Sequence, residues 1–302
     1  MGLFLHPQRS GAQVTSNTRQ FASALLCIAA GVVLPCASSL PADEGLRAPA
    51  RAPADEWLSF YSQQARSFEL SFAGKEQEIK LESEPLLVYT NPVRGNSQHG
   101  AIFLWHVDGQ PVCIGSVWST IDRDDDSIRR IHHELHSLTG ELLVCRRNGE
   151  EMWKSGEPGI ERQLLLDGGT PAASRTLRLA QMRQIARGIT AAMPDREGEL
   201  RLMPQPVYRY PEESEGVLDG AVFSYVLGTD PELWLLVEAR ETGEGQPGWS
   251  VAFAQFTDAR IEVRRGDRLI WECPRATPYK RAGRYYLMWK ADSAPSGLST
   301  EK

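Results

Sequence analysis

Gly100-Ala101-Ile102-Phe103 returns as Gly220-Ala221-Val222-Phe223, 120 positions further along the chain. A second landmark recurs at a nearly equal distance, because Val88-Tyr89-Thr90-Asn91-Pro92 is matched by Val207-Tyr208-Arg209-Tyr210-Pro211, 119 positions further along. The matched residues are mostly of the kind that forms strands and turns. The sequence therefore predicts two related β-rich units that follow each other along the chain.

Each unit is expected to be a meander of antiparallel strands. In the first unit, apolar runs favour strands over 101–105, 112–118 and 131–138, and Asp108-Gly109 is a tight-turn signal between the first two. A hairpin turned at Asn148-Gly149 is expected to close the unit. The predicted fold class is α+β, mainly antiparallel β, with two related β-rich lobes joined by a linker helix.

The helix is predicted from a stripe of apolar residues between the two units. Leu179, Met182, Ala186, Ile189 and Met193 recur at spacings of three and four, which is typical of one buried helix face. The complete predicted division is a signal peptide at 1–42, a flexible lead-in at 43–54, a first β-rich lobe at 55–158, a linker at 159–200 with its helix at about 174–193, a second β-rich lobe at 201–290 and a disordered tail at 291–302.

The amino-terminal residues resemble an export signal. Arg9 and Arg19 precede an apolar run over 21–34, and small residues and proline follow it. The run is shorter than the roughly 20 residues that a membrane-spanning helix needs. The sequence therefore predicts a secreted or periplasmic protein, with no transmembrane segment in the mature chain.

Charge and cysteine content exclude some classes of function. The formal net charge is −6, and removal of residues 1–42 would make it more negative. An acidic chain is a poor nucleic-acid binder, because that binding relies on contacts between cations and phosphates. Cys113, Cys145 and Cys273 have no spacing typical of a zinc-ligand pair, so buried thiols or a single disulfide are both open.

The sharpest candidate site is His132, Glu134 and His136. On a strand these three side chains point to the same face, with neighbouring Cα atoms about 6.6 Å apart. Imidazole and carboxylate groups at that spacing can converge on a divalent metal such as zinc. Histidines held by ordinary hydrogen bonds are the simpler interpretation, and no complete metalloprotease motif is present.

The tryptophans allow two interpretations. Packing in the core is the simpler one, and a stacking surface for sugar rings or another planar ligand is the alternative. The tryptophans concerned lie mostly in predicted strands: Trp105, Trp118, Trp153, Trp234, Trp249 and Trp271.

Several segments resemble a family of secreted planctomycete-type proteins of unknown function. The resemblance covers residues 55–290 and is carried by 100–105, by His132-His133-Glu134-Leu135-His136-Ser137-Leu138, by 181–187 and by 218–232. It implies secretion and one architecture for the whole chain. It implies no activity, cofactor or catalytic residue.

The leading functional hypothesis is an exported, non-catalytic binding or interaction protein of the cell envelope, whose ligand or partner is unknown. The alternative is a metal-dependent hydrolase or metal-binding protein that uses His132, Glu134 and His136. No cofactor other than such a metal is expected, and no catalytic residue is assigned.

The metal hypothesis makes a direct prediction. Protein purified without a chelator is expected to contain nearly one divalent metal ion per chain, measured by elemental analysis, and His136→Ala is expected to lose it. Wild-type protein without bound metal would remove the hypothesis.

Overall fold

A computed structural model of the chain describes residues 55–91, 97–196, 198–211, 216–241 and 245–298. The predicted signal peptide at 1–42 and the lead-in at 43–54 lie outside these residues. Within the described ranges, the two helices are too short to cross a membrane.

The first half of the described chain is one helix followed by eight strands. In chain order these are α1 (Asp55–Arg66), β1 (Phe68–Phe72), β2 (Lys80–Leu81), β3 (Leu87–Asn91), β4 (Gln98–Val107), β5 (Gln110–Ile121), β6 (Ile128–Ser137), β7 (Leu143–Arg147) and β8 (Glu150–Lys154).

A short strand, β9 (Gln163–Leu164), follows the first half, and the second half again begins with one helix. The elements of the second half are α2 (Arg175–Arg187), β10 (Ile189–Ala192), β11 (Glu199–Leu202), β12 (Tyr208–Arg209), β13 (Val217–Leu227), β14 (Asp230–Glu241), β15 (Pro247–Gln255), β16 (Ile261–Arg265), β17 (Arg268–Cys273) and β18 (Tyr285–Pro295). The predicted α+β class, dominated by antiparallel β-sheet, is confirmed.

The two halves use the same order of elements and share most of their strand pairings, although β10 also pairs with β11 and β1 does not pair with β2. In the first half, α1 leads into β1, which pairs with β7 of the β7–β8 hairpin. In the second half, α2 leads into β10, which pairs with β16 of the β16–β17 hairpin. The meander β4-β5-β6 likewise corresponds to β13-β14-β15. Descent of both halves from one duplicated sequence stays a prediction.

Three hydrophobic clusters place the sheets and helices in layers. One cluster lies between α1 and the first sheet and includes Tyr61 and Phe103. A second lies between α2 and the second sheet and includes Met182 and Phe223. The third, which we call the shared core, joins the outward faces of the two meanders. It includes Ile102, Leu104, Ile114, Trp118, Val222, Trp234, Leu236, Ala252 and Tyr285.

Strand alternation explains why one meander can serve two cores. Successive side chains of a strand point to opposite faces of the sheet. In β4, Phe103 faces α1, whereas Ile102 and Leu104 face the shared core. Each meander is therefore buried on both faces, which accounts for its long apolar runs.

Two strands cross from one half to the other. β9 follows the first half along the chain but pairs with β15 of the second. β18 follows the second half but pairs with β6 of the first, from Tyr285 opposite His136 to Pro295 opposite Ile128. The prediction of a disordered tail from residue 291 is therefore wrong for 291–295, because pairing with β6 orders these residues. The tail residues 299–302 lie outside the described ranges.

The linker helix is shorter than predicted. Ser174 caps α2 by accepting a hydrogen bond from the backbone N–H of Leu177, and the helix ends at Arg187 rather than at 193. The N–H of Gly188 bonds to the carbonyls of Gln184 and Ile185, which closes the last turn. The next residues continue as strand β10, where they pair with both β11 and β16.

The predicted turns are confirmed. Asp108 and Gly109 have φ values of 48° and 79°, and Asn148 and Gly149 have 54° and 81°. Positive φ at both central residues is what a type I′ hairpin turn requires, and Asn, Asp and Gly adopt it with little strain.

Candidate functional site

Strand β6 carries the predicted metal residues on the face that points to the shared core. His132 stacks on Trp118, with ring centroids 5.2 Å apart. Glu134 accepts a hydrogen bond of 2.7 Å from the hydroxyl of Tyr285, and the His136 ring lies 6.0 Å from that of Tyr285. His132, Glu134 and His136 thus share one face of β6, as strand alternation predicts.

His132 uses both ring nitrogens in hydrogen bonds. Its Nδ1 accepts from the backbone N–H of Lys290 at 2.9 Å, and its Nε2 lies 3.0 Å from the hydroxyl of Thr120. Because Nδ1 accepts a hydrogen bond, the neutral ring carries its hydrogen on Nε2, which donates to the hydroxyl oxygen of Thr120. Burial, and then the charges of Lys290 and Arg129, lower the pKa of His132 to about 4.

His136 is fully buried and has one partner. Its Nδ1 lies 2.7 Å from the carbonyl of Ser137, which can only accept, so Nδ1 carries the proton. Its Nε2 has no hydrogen-bond partner among the described residues. Burial lowers the pKa of His136 to about 3, so the ring is neutral near pH 7.

The hydrogen-bond partners of His132 compete with a metal ion for its ring nitrogens. A metal at His132 would have to displace either Thr120 or the backbone of Lys290. Within the described part of the chain, no group of three His, Cys, Asp or Glu side chains has a geometry suited to a metal ion. A site at His132, Glu134 and His136 therefore stays a prediction for elemental analysis.

The structure places Glu134 beside acidic side chains from the other half. We call this place the acidic cavity. Asp230 and Glu232 of β14 lie at its wall opposite Glu134, and both are almost completely buried. Asp230 accepts hydrogen bonds from the side-chain amides of Asn91 and Gln98, at 3.0 and 3.1 Å. These bonds join the first half of the fold to the second.

The acidic cavity brings together buried carboxylates from both halves of the fold: Glu134, Asp230 and Glu232. Glu238, another buried carboxylate of β14, is neutralised by Arg162 and Arg240 at 2.6 and 3.1 Å. A buried carboxylate costs free energy unless it is paired and hydrogen-bonded, so three of them around one cavity mark a candidate functional site.

The acidic side chains around the cavity also raise the pKa of Tyr285. Burial, and then the charge and hydrogen bond of Glu134, raise the pKa of its hydroxyl well above the usual value, with further contributions from Glu232 and Asp258. The hydroxyl therefore stays protonated and donates to Glu134. The acidic cavity has a volume of about 20 Å³, which is enough for one water-sized occupant.

A second and larger opening shares Tyr285 with the acidic cavity. This Tyr285 cleft has a volume of about 260 Å³ and lies beside the segment 274–284. Trp271 forms part of its wall and packs against Phe253, with ring centroids 5.5 Å apart. The charged side chains of the Tyr285 cleft are of both signs: Arg275, Lys280, Arg284, Glu157 and Glu272.

The charged groups of the Tyr285 cleft differ in how firmly they are held. Arg284 pairs with Glu157 at 3.1 Å, and Arg275 lies 3.7 Å from Asp258. Lys280 is exposed and forms no ion pair with a described residue. The Tyr285 cleft therefore offers fixed donors and acceptors together with one available ammonium group.

Most of this site was not predicted from the sequence. Trp271 was considered as a stacking residue, but Asp230, Glu232 and Tyr285 were not singled out. They lie far from Glu134 along the chain and approach it only because the two sheets pack together. His133 was also missed: it packs against Phe68 of β1, and neither of its ring nitrogens has a partner among the described residues.

No protein-family model, no curated protein and no solved structure matches this chain. The resemblance to secreted planctomycete-type proteins therefore stays a prediction.

The buried histidines predict loss of stability in mild acid. Burial lowers the pKa of His99, His133 and His136 to about 3, below the value of about 6.5 expected in the unfolded chain. The unfolded chain therefore binds protons first, and the free energy of unfolding falls as the pH drops from about 6.5 towards 4. Each such group contributes up to about 1.4 kcal/mol per pH unit.

This dependence is measurable by urea unfolding between pH 7 and pH 4.5. His133→Leu is expected to show a shallower dependence on pH than the wild type. Phe68→Leu alters the same contact, where the rings lie 5.1 Å apart, but keeps the titrating group. It is therefore the matched control and should retain the wild-type slope. Equal slopes in all three proteins would contradict the assignment.

Proposed function

We propose that the protein is an exported, non-catalytic binding protein of the cell envelope, and that its ligand occupies the Tyr285 cleft. The proposal is supported by one observation above all. An open cleft with an aromatic wall meets a buried cluster of carboxylates at a single side chain, Tyr285. Export is supported by the basic, apolar and small-residue order of 1–42.

The chemistry of the Tyr285 cleft favours a small polar ligand that bears several hydroxyl groups. Lys280 and Arg275 supply donors, and Glu157 and Glu272 supply acceptors, to the same cleft that Trp271 lines. Such a mixture suits a sugar ring, whose hydroxyls both donate and accept and whose C–H face packs on an aromatic ring. A volume of about 260 Å³ lies just below the usual range for drug-sized ligands, so the ligand is about one sugar unit in size.

The electrostatics favour binding over catalysis. Tyr285 is held protonated by burial and by Glu134, and His136 has its pKa lowered to about 3 by burial. Neither group is poised to exchange a proton near pH 7, where general acid–base catalysis needs its pKa values. Tyr285 instead forms a fixed, polar boundary between the Tyr285 cleft and the acidic cavity.

Calorimetric titration of the mature protein with a panel of neutral, amino and acidic monosaccharides tests this proposal. Trp271→Ala is expected to weaken the binding of the best ligand by about tenfold, equivalent to about 1.4 kcal/mol. Leu269→Ala removes an exposed side chain from the same strand outside the Tyr285 cleft and should leave the affinity unchanged.

Two results would contradict the proposal. One is equal affinity in the wild type and Trp271→Ala. The other is conversion of the bound ligand to a product, detected by NMR after prolonged incubation, because the proposal requires the ligand to be recovered unchanged.

A further inference from the structure

Strand β3 is an edge strand, and no described strand other than β4 pairs with it. Its five residues pair with β4 from Leu87 opposite Ile102 to Asn91 opposite Gln98. The same edge of β4 carries β2 further along, and β3 forms no other strand pairing. An edge of this kind presents backbone N–H and C=O groups that can pair with another chain.

Most other edge strands of the fold carry charges that oppose such pairing. Glu69 lies in β1, Lys80 in β2, Glu150 and Glu151 in β8, Arg209 in β12, Arg268 in β17 and Lys290 in β18. β3 has the sequence Leu-Val-Tyr-Thr-Asn and carries none, and the edge strand β9, which also carries none, has only two residues. Charged side chains are the usual protection of an exposed edge, so the five-residue edge of β3 is open to pairing in a way that the charged edges are not.

A cleft runs beside this edge. The β3 cleft has a volume of about 250 Å³ and is lined by residues 87–90 on one side and by Arg201, Met203 and Val226 on the other. Alternate side chains of a strand point to opposite faces, so a cleft lined by four consecutive residues follows the edge of the strand. Val88 is exposed by 38%, which leaves apolar surface available to an occupant.

Arg201 gives the β3 cleft a charge. Its guanidinium donates to the carbonyl of Gly228 at 3.1 Å, and it forms no ion pair with a described residue. An occupant that carries a carboxylate near its apolar part would therefore find a cationic partner at the rim.

We propose that β3 is a docking strand for an extended, acidic peptide segment of a partner protein. The segment adds to the outer edge of β3 through backbone hydrogen bonds, places an apolar side chain in the β3 cleft and pairs a carboxylate with Arg201. This recognition mode derives affinity from the backbone and specificity from alternate side chains. The surface is separate from the Tyr285 cleft, so the proposal does not depend on the sugar ligand.

The test uses a phage-displayed library of random dodecapeptides selected on the mature protein, followed by fluorescence anisotropy with the enriched peptides. The enriched sequences are expected to alternate apolar with polar residues and to contain an acidic residue. Arg201→Glu, an exposed position, is expected to weaken their binding at least about tenfold and to favour lysine-substituted peptides instead. Val88→Lys places a charge on the edge and is expected to abolish binding.

Leu269→Lys introduces the same charge at a similarly exposed position outside the β3 cleft and should bind like the wild type. Circular dichroism of each variant verifies that it is folded. Failure to enrich any peptide, or enriched peptides that bind Arg201→Glu and Val88→Lys as tightly as the wild type, would overturn the proposal. So would binding of decanoate without peptide, or a dimer of the protein that Val88→Lys dissociates, because the occupant would then be a small amphiphile or a second copy.

Discussion

The fold depends on the contact between the outward faces of its two meanders. Ile102 and Leu104 of the first sheet and Val222 and Leu236 of the second are completely buried in one cluster. A single sheet with a helix on one side would leave its other face exposed to water. Burial of that face against its counterpart removes the exposure for both halves at once. The crossing strands β9 and β18 then cover the third strand of the opposite meander.

The same contact creates the polar site. Glu134 lies on one sheet and Asp230 and Glu232 on the other, so their proximity is a consequence of sheet packing. Asn91 and Gln98 donate side-chain amide hydrogen bonds to Asp230, and the hydroxyl of Tyr285 donates to Glu134. Such contacts are needed because a buried carboxylate costs stability compared with an apolar residue unless it is paired and hydrogen-bonded, as Glu238 is with Arg162 and Arg240.

Local features were predictable from the sequence, and pairings between distant residues were not. Asp108-Gly109 and Asn148-Gly149 identify their turns because positive φ suits few other residues. The common face of His132, Glu134 and His136 follows from strand alternation alone. By contrast, the composition of the segment from residue 291 suggested disorder. The pairing that orders 291–295 was not predictable, because its partner strand β6 lies more than 150 residues earlier in the sequence. Asp230, Glu232 and Tyr285 were not predicted as neighbours of Glu134 for the same reason, because they lie far from it in the sequence. The end of α2 was predicted too late because the apolar spacing continues past Gly188.

Native-state hydrogen exchange of the wild type and Leu236→Ala tests the shared core most directly. Leu236 belongs to β14, and its side chain is fully buried between the sheets. If the two halves are stabilised by one core, removal of this side chain lowers the protection of the slowest amides in β5 and in β14 by the same amount, about 2–5 kcal/mol. A loss confined to β14, with β5 unchanged, would show that the halves are stabilised independently and would contradict this account.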